Sequence, residues 1–91
     1  MTGRHNPDEL LSFPCHYEFK AFGPAADAMF ADAVRQAVAQ VVPLCQDAVR
    51  IRLSAGGRYQ CVTALVRLEN SVQLSEIYAI LRKIEGICYL L

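Results

Sequence analysis

Between His16 and Phe22 the chain reads HYEFKAF, with Tyr17, Phe19 and Ala21 on one side and His16, Glu18 and Lys20 on the other. Successive side chains of a strand point to opposite faces, so this alternation predicts a strand with one buried face. Gly23-Pro24 breaks the period, and Pro24 suits the first turn of a helix, where its missing N–H costs nothing. Ala26, Phe30, Ala33, Val34, Ala37, Val38 and Val41 then recur at helical spacing, with Asp32, Arg35, Gln36 and Gln40 elsewhere on the wheel. That is an amphipathic helix, which Pro43 ends near Val42. A second strand is expected from about Ala48 to Leu53, where Val49, Ile51 and Leu53 alternate with Arg50 and Arg52. Ala55-Gly56-Gly57-Arg58 reads as a hairpin turn, because paired glycines supply positive φ. The third strand, about Tyr59 to Leu68, has a wholly apolar even set (Val62, Ala64, Val66, Leu68), so that set should face the core. Asn70 or Ser71 caps a second helix with a buried stripe of Leu74, Ile77, Tyr78, Leu81 and Ile84. Gly86 stands where a helix takes a left-handed C-terminal residue. Ile87 to Leu91 forms a last strand without a charge.

The order is β-α-β-β-α-β. Two right-handed crossovers interleaved around a central hairpin give an antiparallel sheet of order 4-1-3-2 with both helices on one face. This is an α+β fold, the ferredoxin-like plait. Residues 1–14 are expected to be an extension in which Pro7 to Phe13 forms a short helical turn stopped by Pro14; residues 15–91 are expected to be one domain. The other face of the sheet should then present Glu18, Lys20, Arg50, Arg52 and Arg67 with Cys61, Thr63 and Leu65. Lys20, Arg50, Arg52 and Arg67 make that face locally basic. It is a candidate surface for an anionic metabolite or an acidic partner. The chargeless edge carrying Ile87, Tyr89, Leu90 and Leu91 is a candidate for self-association, and a homodimer is expected.

Composition limits the alternatives. The 91 residues are 54% hydrophobic and 20% charged, with nine basic and nine acidic residues and a net charge of +0. Such a chain can bury roughly two-thirds of its surface, and its apolar content excludes disorder. Its neutrality gives no bulk attraction to nucleic acid or to a membrane. The polar N-terminus has no apolar h-region, and no apolar run is long enough to span a bilayer, so a soluble cytoplasmic protein is expected. Cys15, Cys45, Cys61 and Cys88 show no metal-ligand spacing and are expected to be reduced and mostly buried. Neither a metal nor a cofactor is indicated.

The motifs fit a known family. Leu10-Leu11-Ser12-Phe13-Pro14 leading into Tyr17-Glu18-Phe19-Lys20-Ala21-Phe22-Gly23, the hairpin Ser54-Ala55-Gly56-Gly57-Arg58-Tyr59, and the ending Ile77-Tyr78, Leu81, Lys83-Ile84-Glu85-Gly86 and Leu91 together resemble the YbeD-like proteins. These are small bacterial proteins of unknown function. The resemblance implies the same plait, a likeness to ACT-type regulatory domains that bind small molecules, and a link to lipoate metabolism; it supplies no catalytic residues. In ACT-like domains the loop after the first strand lines the ligand site, and Gly23, Pro24 and Ala25 are the matching stretch.

A non-enzymatic regulatory or interaction module is therefore expected. RNA binding on the open sheet is the alternative, since RNA-recognition modules share this topology. It is disfavoured because Tyr59 alone supplies a stacking ring, with Cys61 and Ala64 at the other positions where aromatics are wanted. An enzyme has less support. His5 lies in the N-terminal extension and His16 near a strand start, where a histidine is more often a surface or packing residue than a general base, and the pair Arg67 and Asn70, of the kind acylphosphatases use, lacks a phosphate-cradling loop.

Overall fold

The structure is a computed structural model that describes residues 12–91. The predicted helical turn of Pro7 to Phe13 lies largely outside the described residues. The elements are β1 (Cys15–Pro24), α1 (Phe30–Ala39), a 3-10 turn (Gln46–Ala48), β2 (Val49–Leu53), β3 (Tyr59–Leu68), α2 (Ser71–Leu81) and β4 (Tyr89–Leu90). The strands form one antiparallel sheet in the order β2-β3-β1-β4, and both helices pack on one face of it, as the sequence pattern predicts. Phe19 and Ala21 of β1 and Val62, Ala64, Val66 and Leu68 of β3 meet Phe30, Val34, Ala37 and Val38 of α1 and Leu74, Ile77 and Leu81 of α2 in a single core.

The junction after β1 differs from its expectation. Gly23 and Pro24 do not open a helix; they continue the strand opposite Gln60 and Tyr59. An end position of a strand tolerates the missing proline N–H. α1 begins only at Phe30, so Ala26 is exposed and lies outside the helical stripe. Three hydrogen bonds delay it, one local and two from β3. The Asp27 side chain accepts the Met29 N–H at 3.0 Å, and the buried Gln60 amide donates to the carbonyls of Pro24 (2.8 Å) and Asp27 (2.9 Å), fixing those residues as a turn.

The second half of the chain follows the pattern more closely. Gly56 (φ 89°) and Gly57 (φ 69°) make the turn between β2 and β3, and Ser54 Oγ accepts the Tyr59 N–H at 3.1 Å. Asn70 is the N-cap of α2, its side chain accepting the Gln73 N–H at 3.0 Å. Gly86 has the expected positive φ (91°), but it does not end α2. The helix stops at Leu81, and successive turns through Lys83 and Ile84 carry the chain to Gly86. The last strand is also shorter than the expected Ile87 to Leu91, although backbone bonds to β1 extend from Cys88 (to Phe22 O, 2.7 Å) to Leu91 (to Lys20 O, 2.8 Å).

Candidate ligand-binding face

The register defines the uncovered face row by row. Residues paired across an antiparallel ladder share a face, and the face repeats every second residue. One row reads Arg52, Cys61, Phe22, Tyr89 across β2, β3, β1 and β4. The next reads Arg50, Thr63, Lys20 and then Leu91, whose N–H and C=O both bond the backbone of Lys20. Beyond it lie Leu65 with Glu18, then Arg67 with His16. At the opposite end Tyr59 stands beside Pro24.

Lys20, Arg50 and Arg52 thus come together. With Glu18, Thr63, Cys61 and Ile51 they line an open cavity of about 300 Å³. Three cations surround a single acid there, and the Thr63 hydroxyl and the Cys61 thiol, 3.9 Å apart, form its floor. Arg67 stands apart from this group. Two rows separate it from Arg50, and its guanidinium is engaged by Glu69 at 3.2 Å. Asn70 is occupied in capping α2, so Arg67 and Asn70 both have structural partners.

Of the stretch Gly23, Pro24 and Ala25, expected as a ligand loop, only Ala25 lies in a turn. Gly23 and Pro24 lie in β1, and Gly23 faces the core beneath Phe30; a Cβ there would stand 2.6 Å from that ring. The thiols also depart from expectation. Cys15 and Cys61 are half-buried, and Cys45 and Cys88 are exposed. Each of Cys45 and Cys88 lies outside the alternating part of a strand or the apolar stripe of a helix, so nothing drives it inward. Cys15 pairs with Leu68 on the core side while His16 pairs with Arg67 on the open side, so the two neighbours diverge. Among the described residues no three His, Cys, Asp or Glu side chains gather.

The edge residues divide between the faces. Ile87 and Leu90 pack against the core, whereas Tyr89 and Leu91 are exposed toward the open face. The open-face aromatic rings were the part least visible in the sequence. Ala64 is fully buried and could never present a ring there, while Phe22 and Tyr89 join Tyr59 on the open side. Phe22 shares the parity of His16, Glu18 and Lys20 and could have been found from it. Tyr89 depends on the pairing of β4, which no local pattern specifies.

Behind the sheet, Tyr17 and Tyr78 share a hydrogen bond between their hydroxyls at 2.8 Å, and Arg82 lies 5.9 Å from the centre of the Tyr78 ring. Burial, reinforced by the bond to Tyr17, pushes the Tyr78 hydroxyl well above its ordinary value of 10.0, so it stays protonated.

The fold and this face define a ferredoxin-like plait with a basic, uncovered sheet. Comparison with known proteins places it further. Residues 8–91 match the family described as "Protein of unknown function (DUF493)". The chain is 32% identical over 84 residues to UPF0250 protein IL0958 of Idiomarina loihiensis, covering 92% of this chain and 93% of that one. It is 34% identical to a UPF0250 protein of Shewanella sediminis, covering 88% and 89%, and 35% identical to one of Neisseria gonorrhoeae, covering 86% of each. The solution structure of protein HP0495 from H. pylori superposes with a TM-score of 0.70 over 99% of this chain and 98% of that one, at 12% identity, which shows a shared fold. The chain belongs to this family of uncharacterised bacterial proteins, the YbeD-like family to which its motifs point.

Proposed function

We propose that the chain is a non-enzymatic binding module of regulatory, ACT-like type that takes a small anionic metabolite on its open face. The observation that carries this reading is the convergence of Lys20, Arg50 and Arg52 on one cavity in a chain of net charge +0. Guanidinium groups offer forked donors suited to carboxylate and phosphate, and the Thr63 hydroxyl adds a neutral donor beside them. The test is thermal unfolding in the presence of phosphate, citrate, amino acids and lipoate, the last because of the metabolic link the family resemblance implies. A ligand at about 100 times its Kd should add about 2.7 kcal/mol of stability. The Arg50→Gln/Arg52→Gln double variant should lose that gain while melting normally without ligand. If no anion raises the Tm, or the gain survives in the double variant, the reading fails.

Self-association is a second reading, now favoured by a different edge. β4 turns few unpaired backbone groups outward, whereas β2 has a free edge of five residues on which Ile51 is 58% and Leu53 60% exposed. We infer that a second copy pairs along β2. Sedimentation equilibrium should show a dimer that Ile51→Lys dissociates; a monomer at high micromolar concentration removes the idea.

A further inference from the structure

The basic cavity does not end in open solvent on every side. In the direction of β4 its row continues from Arg52 and Cys61 into Phe22 and Tyr89, whose ring centres are 5.9 Å apart and tilted by 55°. Tyr59 stands one row beyond. Phe22, Tyr59 and Tyr89, with Ser54 and Cys88, line an apolar cleft of about 210 Å³. Tyr89 is 61% and Tyr59 42% exposed, so both offer surface to a ligand. On a chain with only eight aromatic residues, three rings share this corner of the uncovered face.

We propose that this corner and the basic cavity form one composite site for a nucleotide unit, with the base stacked on the Tyr59, Phe22 and Tyr89 corner and the phosphate held by Arg50, Arg52 and Lys20. The proposal rests on the anion-binding reading above and names its ligand class. Same-face rows on a strand are about 6.8 Å apart and adjacent strands about 4.8 Å, so Phe22 and Tyr59 stand within a sugar's reach of Lys20 and Arg52 respectively, and Tyr89 extends the ring surface one strand beyond Phe22. Exposed aromatic rings beside a cationic track are the combination that binds unpaired bases without regard to sequence. A long apolar carboxylate fits less well. An aliphatic tail gains by enclosure, which an open sheet corner lacks, and with Glu18 in the cavity one carboxylate still leaves one of three cations unmatched, where a phosphate dianion leaves none.

The unit could be a free nucleotide or part of a single strand, and the experiment separates these. Binding to the full chain is followed by NMR titration with inorganic phosphate, ribose 5-phosphate, AMP and octanoate, and by anisotropy with a labelled single-stranded RNA octamer and its duplex, all at low salt. AMP should bind about tenfold more tightly than ribose 5-phosphate, and Tyr89→Ser should abolish that tenfold advantage. Tyr59→Ser should reduce it in the same way, and Arg52→Gln should weaken AMP and ribose 5-phosphate alike. An octamer bound more than tenfold tighter than AMP, with the duplex weaker, assigns the site to single-stranded RNA; equal affinities assign it to the free nucleotide. Ribose 5-phosphate equal to AMP, or octanoate equal to AMP, overturns the nucleotide proposal while leaving the anion site standing. No binding by any phosphate compound overturns both. Chemical shifts at Phe22, Tyr59 and Tyr89 that grow with protein concentration in the absence of ligand would mean that a second copy covers this face, and would also overturn it.

Discussion

Gly23 shows how one residue's environment can replace a guess about its role. A glycine at the end of a strand reads as a turn residue, yet here it sits in the sheet because the Phe30 ring lies against its Cα. Gly23→Ala is expected to destabilise the fold by about 1–3 kcal/mol, because the added methyl must displace a fully buried ring in a packed core. Urea unfolding measures this; an unchanged midpoint would refute the close contact. Tyr78 gives a second prediction, in pH. Unfolded, its hydroxyl ionises near its ordinary value of 10.0; folded, it keeps its proton to higher pH. The unfolded state therefore binds fewer protons in alkaline solution, and stability falls as pH rises past about 10. Tyr78→Phe should flatten the part of that decline due to this residue, seen as a smaller drop in urea midpoint between about pH 9 and about pH 11. An identical drop in the variant would place the effect elsewhere.

Among the elements, β4 departs furthest from its sequence description. Ile87 to Leu91 reads as a uniform apolar edge, but pairing with β1 sends Leu90 toward the core and leaves Tyr89 and Leu91 outside. Leu90→Lys is thus expected to destabilise the monomer, whereas Leu91→Lys should leave its Tm nearly unchanged; thermal melts of the two variants check this. Equal effects would mean that the face assignment of β4 is wrong. α2 was the most legible element. Its cap and its stripe as far as Leu81 follow from local residues, since Asn70 supplies the acceptor that the first helical N–H groups need, although the helix stops short of the expected Ile84 and Gly86. Asn70→Ala should cost about 1 kcal/mol, measurable in the same melts. α1 was less legible at its start, because the bonds that hold Pro24 to Asp27 in a turn come from Gln60, 33 or 36 residues away.

For the whole molecule, the two proposed surfaces share β2 but use opposite sides of it. The anion cavity faces away from the helices, while the side chains of Ile51 and Leu53 pair with Val62 and Gln60 on the helix side of β2. Leu53→Lys, which charges the same edge at a residue that does not line the cavity, should therefore leave phosphate affinity within about twofold of the parent chain. A large loss of affinity in that variant would show that the dimer builds the site. The neutral total charge conceals this arrangement, because the sheet gathers cations from β1 and β2 that are 30 residues or more apart in the chain.

The order of elements, the facing of β1 and β3 and the basic character of the open face were determined by the sequence itself. Alternation and helical spacing are local signals, and a core-facing set leaves the opposite set exposed. Tertiary structure alone decided where α1 starts and why position 23 must be glycine. It also decided that Tyr89 joins Phe22 and Tyr59. Those outcomes depend on register and on contacts between distant segments, and no neighbouring residue encodes them.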